Sequence, residues 1–411
     1  MWMTFMGNNT SMLQKVSMLI LVTYPILEVY LIGGSKISIA GFLGLCLWVF
    51  TSAHKGLQGV FRVMPTTYYL FWVYLAFQSC LIAGISGWSD YIPGGINFVI
   101  FSLVLMTLTS NFDHALFYRY LKYVFLFSTA LFLFQYATFY LTHHKISVFL
   151  PLSNQLLYCD FSYSELVEIQ VTLSHSLLQR FSSIFCEPSY YAQYILLVLC
   201  VELFRQENKE KLFTPFSLFI VAILIMTQSG SGMVGLLSIA IIKLLYVIFV
   251  TKKQKYYFYL IMLIPVAYWA VAYYISTTAG SLMMERVAEV DGTAGENTSG
   301  FSRVVLGWTI FDRVPFFNKL FGNSRSFMQY YWDGGFFNGV TALLCNKGLL
   351  ALALLILTYF LSAKRQGIMC TAVLLLFMII SLFESTFLNG LMLLTSVLVF
   401  GTNYLNKNRL K

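Results

Sequence analysis

Residues 215–250 read PFSLFIVAILIMTQSGSGMVGLLSIAIIKLLYVIFV, and residues 367–405 read GIMCTAVLLLFMIISLFESTFLNGLMLLTSVLVFGTNYL. Each stretch is too long for one membrane-spanning helix, which needs about 20 apolar residues, and short for two. The flanking charges decide the reading. Arg205, Lys209 and Lys211 precede the first stretch, and Lys252, Lys253 and Lys255 follow it. Lys364 and Arg365 precede the second, and Lys407, Arg409 and Lys411 follow it. Basic clusters mark the cytoplasmic side of a bilayer, so both ends of each stretch belong on that side. Each stretch then crosses an even number of times, as a tight hairpin. The turns are expected near Ser229-Gly230-Ser231-Gly232 and near Asn389-Gly390, with Gly supplying the sharp bend.

The rest of the chain follows from these two hairpins. Further apolar runs fall at 12–32, 37–53, 67–87, 93–110, 121–141, 189–204, 256–276 and 337–361. The reading is an all-α, polytopic integral membrane protein, one domain over 1–411, with about twelve spans and both termini in the cytoplasm. No small-residue cleavage site follows the first run, which reads as a retained span rather than a signal peptide. Two long loops, about 142–188 and 277–336, face outward, and the other connections are short. No internal repeat is visible, which argues weakly against a two-fold transporter.

Composition agrees. The 411 residues are 58% hydrophobic and 10% charged, with a mean hydropathy of +0.74. A soluble domain carries roughly 25% charge. An ordinary cytosolic enzyme, a disordered chain and a nucleic-acid-binding domain are therefore excluded. The net charge of +9 reads as membrane topology.

The outward loops are richer in Arg than the inward ones. Arginine supplies five of the nine outward cations but only five of the seventeen inward ones. Topology alone is served by Lys, whereas the Arg fork matches phosphate and carboxylate. Arg180, Arg286, Arg303, Arg313 and Arg325 can therefore meet an anionic ligand at the membrane surface, or pair with the outward acids. Glu187-Pro188-Ser189 reads as a helix start. Glu187 is thus either a helix-start residue or a carboxylate poised as a general base. Glu28, inside the first span, and Glu384, near a hairpin tip, are intramembrane carboxylates and functional candidates for that reason. His143 and His144 are adjacent and do not project like an i, i+4 metal pair, and no CxxC is present, so no metal site is expected. Cys159 and Cys186 share the first outward loop, where a disulfide is open.

Three segments, in order, resemble the O-antigen polymerase family, the Wzy-type oligosaccharide repeat-unit polymerases, which are distantly related to O-antigen ligases. They are Arg180-Phe181…Phe185-Cys186-Glu187-Pro188-Ser189, Thr227-Gln228-Ser229-Gly230-Ser231-Gly232, and Ser302-Arg303…Gly307…Pro315…Gly322 followed by Asn338…Gly348. With the loop plan, the resemblance covers roughly residues 100–360. The chain departs from the family where some members carry Gly eleven residues after an outer-loop Arg; here Tyr191 and Val314 stand there. It also lacks the outer-loop His that precedes an Asn in ligases, since Phe337 precedes Asn338.

The resemblance implies an inverting, metal-independent membrane glycosyltransferase without cofactor, facing the periplasm from the inner membrane. Donor and acceptor would be oligosaccharides on undecaprenyl pyrophosphate, and a chain-length-regulating membrane protein would be a partner. Arg180 and Arg303, then Arg325, would stabilise the departing pyrophosphate. Glu187, with Asp291 behind it, would be the base. Tyr190, Tyr191 and Trp332 could stack on sugars or anchor at the interface, and Asn338 would line the site. A ligase of the same fold, or a flippase or other transporter, is the alternative.

Overall fold

The computed structural model describes residues 11–33, 35, 37–86, 92–156, 162–172, 181–251, 305–323, 338–363 and 366–409. Among them the protein is all-helical, with 14 α-helices and no strand. In chain order these are α1 (Met12–Leu27), α2 (Ile39–Phe61), α3 (Thr66–Ser86), α4 (Ile92–Ser110), α5 (His114–Thr142) and α6 (Tyr163–Thr172). There follow α7 (Pro188–Phe204), α8 (Pro215–Met226), α9 (Gly230–Leu245, continued by a π-turn over Tyr246–Val250), α10 (Gly307–Arg313) and α11 (Phe316–Phe321). The last three are α12 (Gly339–Ala363), α13 (Ile368–Ile380) and α14 (Gly390–Arg409).

Helices cover every expected apolar run except 256–276, which lies outside the described residues. Among the described residues three helices are long and apolar enough to cross a bilayer: His114–Thr142, Gly230–Val250 and Gly339–Ala363. Shorter apolar helices include Met12–Leu27, Pro188–Phe204, Pro215–Met226 and Ile368–Ile380.

Local sequence starts the helices where capping chemistry is available. Ser11 and Gln14 form a reciprocal box at α1, and Thr214 and Ser217 form one at α8, with Pro215 in the first turn. Asp113 caps α5 through the Leu116 amide at 2.8 Å. Ser229 caps α9 through the Gly232 amide.

Turns are present at both expected places, between α8 and α9 and between α13 and α14, but they are made by a different device. The left-handed backbone at the first tip belongs to Gln228 (φ 50°), and at the second to Leu388 (φ 60°). The glycines serve packing instead. At the tips, a Cβ on Gly232 would stand 3.0 Å from Ala192 Cβ and one on Gly390 2.7 Å from Pro25 Cα, while Gly230 has open space; within α9, one on Gly235 would stand 2.3 Å from Leu196 Cδ1. Lipid tails give helices little hydrophobic reason to associate, so close backbone approach at small residues is what joins them.

The bundle is organised around α7, which packs against α5, α8, α9 and α13. Every residue of α7 but Pro188 and Tyr190 is buried. On one flank α1 packs on α2, α5 and α14, while α12 packs on α3, α11 and α14.

Two elements differ from the sequence reading. Helix α1 ends at Leu27, and Glu28 is its C-cap, so Glu28 sits in the turn after the helix and not within it. Helix α12 is broken at Gly348 (φ 82°, ψ 173°). The second long loop contributes α10 and α11, and the end of α11 docks into that break.

Candidate functional site

Tyr190, in the first turn of α7, packs against Val29, Tyr30 and Cys186, and three carboxyls lie within electrostatic reach of it: Glu187, Glu384 and Glu28. The three acids come from distant parts of the chain. Each is brought there by a distinct local structure.

Glu187 occupies the N-cap of α7 in extended backbone, with Pro188 next. Its side chain makes no capping bond to its own helix. It accepts a hydrogen bond from Ser189 Oγ at 3.0 Å instead. The plain helix-start role therefore does not occupy this carboxylate, which is half-buried at the helix mouth.

The segment before it is stitched to α5. Ser183, at φ 53°, donates its amide to Gln135 Oε1 at 2.9 Å. Its hydroxyl donates to the Ser128 carbonyl at 2.6 Å. Gln135 in turn donates through Nε2 to the Ile146 carbonyl at 3.0 Å. Residues 181–186 are all buried. Lys145, also buried, places its ammonium 5.7 Å from the centre of the Phe181 ring. The chain thus reaches Glu187 along a fixed path.

Glu28 is carried in by the end of α1. The turn that holds it packs on the start of α14, where a Cβ on Gly390 would stand 2.7 Å from Pro25 Cα. Orphan donors at a helix start favour a carboxylate there. Gly390 can approach because it has no Cβ to strike Pro25.

Glu384 lies in the turn between α13 and α14. The Gly339 amide donates to its backbone carbonyl at 2.8 Å, and the Val340 amide donates to the Ser381 carbonyl at 3.1 Å. Asn338 caps α12 by accepting from the Thr341 amide through Oδ1 at 2.8 Å. A Cβ on Gly339 would stand 2.4 Å from Thr386 Oγ1. The start of α12 is therefore fastened to the turn that carries Glu384.

Two of the expected side chains thus join the cluster, Glu187 and Tyr190. Asn338 is a helix cap beside it, and its side chain is buried. Tyr191 points elsewhere: its hydroxyl meets Thr129 Oγ1 at 3.2 Å, and its ring packs between Phe132 and Phe185. It is fully buried, so it is a core residue and offers no stacking face. The expected roles of Arg180, Arg303, Arg325, Asp291 and Trp332, and the Cys159–Cys186 pairing, fall on or depend on positions outside the described residues. No group of three or more His, Cys, Asp or Glu among the described residues is placed to hold a metal ion.

Sequence reasoning missed a second polar centre, at the opposite end of α7. Lys243 of α9 is 1% exposed and donates to the carbonyls of Leu203, Asn208 and Lys209 at 2.5, 3.0 and 3.0 Å. Nearby, Glu202 accepts from Tyr118 at 2.5 Å and from Asn208 Nδ2 at 2.8 Å, and pairs with Arg205 at 3.7 Å. The available signal was a lysine within an apolar run, which is rare without a purpose. This centre is saturated with internal bonds and clamps the end of α7. The Tyr190 cluster is the better candidate for chemistry.

Neither a scan against protein-family models nor a search of curated proteins returned a match.

Proposed function

We propose that the protein is a membrane glycosyltransferase that polymerises lipid-linked oligosaccharide repeat units at the outer face of the bacterial inner membrane. One observation carries this reading. Glu187 ends the first long loop and Asn338 ends the second, and both lie beside the Tyr190 carboxyl cluster at one end of the bundle. Loop-borne residues positioned over a rigid helical base are a common arrangement for catalysis. The three-segment resemblance to repeat-unit polymerases adds the reaction class.

In this reading an acceptor hydroxyl attacks the anomeric carbon of the donor sugar. The new bond is carbon to oxygen, and the bond that breaks joins that carbon to the lipid pyrophosphate. Glu187 takes the hydroxyl proton. The leaving pyrophosphate gathers negative charge, and Arg180, Arg303 and Arg325 stabilise it. The basic flanks of the two hairpins put both termini in the cytoplasm and the cluster on the periplasmic side.

Clean deletion in the native host, with complementation, tests this. A surface polysaccharide reduced to a core bearing one repeat is the expected profile on a silver-stained gel. Loss of every repeat-bearing band with periplasmic lipid-linked polymer accumulating assigns a ligase instead. An unchanged profile removes the family reading.

A second reading, a proton-coupled flippase, draws on the burial of Glu28 and Glu384 at 4% and 9% exposure. Buried carboxyls in a membrane bundle are the usual parts of proton relays. Repeat units trapped on the cytoplasmic face after deletion would favour it.

A further inference from the structure

Helices α10 and α11 form a hairpin, tied across by the Lys319 ammonium at 3.6 Å from Asp312 Oδ1. One side of the hairpin is fixed against α12. Ile310 packs on Cys345. A Cβ on Gly322 would stand 2.5 Å from the Asn346 carbonyl oxygen. Helix α3 meets the same place: Gln78 Nε2 donates to the Asn346 carbonyl at 3.1 Å, and the Phe77 and Phe321 rings lie 6.5 Å apart. The other side is bare and apolar. Phe316 is 74% exposed, Phe317 46% and Trp308 42%.

The height of this join along its two supports decides what meets the bare side. Lys364 and Arg365 mark the cytoplasmic end of α12. From Gly348 to Ala363 the helix is about 22 Å long. The hydrocarbon core is about 30 Å thick, so Gly348 stops short of its outer boundary, and any tilt of α12 takes it deeper. On α3, Arg62 marks the cytoplasmic end, and the rise from Thr66 to Gln78 is about 18 Å. Both supports therefore put the join within the hydrocarbon. Along α11, Phe316 and Phe321 are about 7.5 Å apart. However α11 is tilted, Phe316 reaches the outer boundary at most. An exposed Phe at that depth has lipid tails for its solvent.

The backbone agrees with this depth. Irregular chain within a bilayer is tolerated where protein satisfies its polar groups. At the break in α12, the carbonyls of Cys345, Asn346 and Lys347 are met by Asn323, Gln78 and Tyr74. Asp312 and Arg313 lie beyond Pro315 and are exposed, within reach of the headgroups. A long Arg side chain can snorkel to that level.

We infer that the α10–α11 hairpin is re-entrant. It enters the outer leaflet from the second outward loop and lays Phe316 and Phe317 against phospholipid acyl chains, with Arg313 at the phosphates. This rests on α12 spanning the bilayer with its last turn in the cytoplasm, and not on the polymerase reading.

Photo-cross-linking of the full-length protein tests it, in nanodiscs of phosphatidylethanolamine and phosphatidylglycerol. The variants are Phe316→p-benzoylphenylalanine and Phe317→p-benzoylphenylalanine, which keep the aromatic ring. After irradiation, the peptides bearing positions 316 and 317 should gain the mass of one phospholipid. Fragmentation should place the new bond on an acyl chain. In parallel, a membrane-impermeant maleimide should label Phe316→Cys severalfold more slowly than His144→Cys, a position exposed in the first outward loop. Both should label alike once unfolded in detergent, and gel filtration shows that each variant is folded beforehand. Attachment to glycerol or headgroup carbons alone would leave the hairpin lying on the membrane and overturn its entry into the leaflet. A bond to a second copy would make this face a dimer contact, and a bond within the chain would show it covered by the protein itself. Labelling of Phe316→Cys as fast as that of His144→Cys would put the face in water. Each of these last three results would overturn the lipid contact.

Discussion

The Lys243 ammonium sits 2.5 Å from the carbonyl oxygen of Leu203, the last residue but one of α7. Two more carbonyls, of Asn208 and Lys209, complete its shell. The last carbonyls of a helix have no partner within the helix. A cation there answers both the unmet acceptors and the negative end of the helix. The Glu187 site occupies the other end of the same helix, so this clamp fixes the rod on which the site stands. Lys243→Met keeps the apolar stem and removes the ammonium. It should cost roughly 3 kcal/mol, for bonds to a charged donor cannot be replaced from a buried position. A thermal-unfolding curve in detergent should show a clear fall in Tm, with Lys243→Arg closer to wild type. Equal Tm for Lys243→Met and wild type would show that the clamp contributes nothing.

Gly322 and Gly348 form a second fixed point. Both have left-handed backbone, at φ 85° and 82°. A Cβ on Gly348 would stand 2.2 Å from the Leu320 carbonyl oxygen and 2.6 Å from the Gly322 nitrogen. Helix α3 seals the join: Tyr74 donates to the Lys347 carbonyl at 2.7 Å, and Gln78 Nε2 donates to the Asn346 carbonyl at 3.1 Å. Asn323 covers the Cys345 carbonyl with its amide at 2.9 Å and its side chain at 3.0 Å. Three carbonyls freed by the break in α12 are thus satisfied from outside the helix. Gly348→Ala meets backbone and cannot be absorbed by a rotamer change. It should push α11 off α12 and expose Cys345, which is fully buried. Maleimide labelling of Cys345 should rise severalfold in the variant, read by mass spectrometry of the peptide. Labelling as slow as in wild type would mean the docking survives.

These two fixed points mark the limit of what the chain discloses as a sequence. The hairpins at 227–229 and 381–389 are legible because charge flanks and apolar length are local quantities. The start of α7 is legible because Pro188 and Ser189 carry the signal themselves. The surroundings of Glu28 are not legible, since Gly390 lies far along the chain and its contact with Pro25 depends on how α1 and α14 pack. Tyr190 and Tyr191 are adjacent and alike as letters. Only the rotation of α7 separates them, turning the first toward the acids and the second into the core against Phe132. Lys243 was visible as a charge in an apolar run, but its three carbonyl partners follow from the fold of residues 203–209.

Glu165 provides a test of the first long loop by pH. Its carboxylate accepts from the Ser162 amide at 2.7 Å and the Ser162 hydroxyl at 2.8 Å. These bonds favour the charged form and hold the carboxyl below its ordinary value. The folded value is thus lower than the unfolded one, near 4.3 for Glu. The cap's contribution is complete above that pH and disappears as pH falls through the folded value. Hydrogen exchange of the first turn of α6, corrected for intrinsic rates, should accelerate across that acid range. Glu165→Gln should flatten the response, because its amide does not titrate there. Identical pH profiles for the two proteins would show that Glu165 does not govern the start of α6.

The proposed base and the proposed pyrophosphate clamp can be separated by their variants. Glu187→Gln preserves shape, and its amide oxygen can still accept from Ser189 Oγ, the partner seen at 3.0 Å. It cannot take a proton. General-base loss of this kind costs about 10²–10⁴ in rate, so long polymer should vanish from the gel while the protein persists in the membrane. Arg303→Ala should give the same gel phenotype for a different reason, loss of charge stabilisation in the leaving group. Arg303→Lys keeps the charge but not the planar fork, so it should restore only part of the ladder. The two sites then diverge in binding: Glu187→Gln disturbs the hydroxyl of the acceptor, whereas Arg303→Ala disturbs only the lipid pyrophosphate. A polyprenyl pyrophosphate bearing no sugar should therefore bind Glu187→Gln as wild type does and bind Arg303→Ala more weakly. Full ladders from Glu187→Gln would remove it as the base and leave Asp291 the next carboxylate to change.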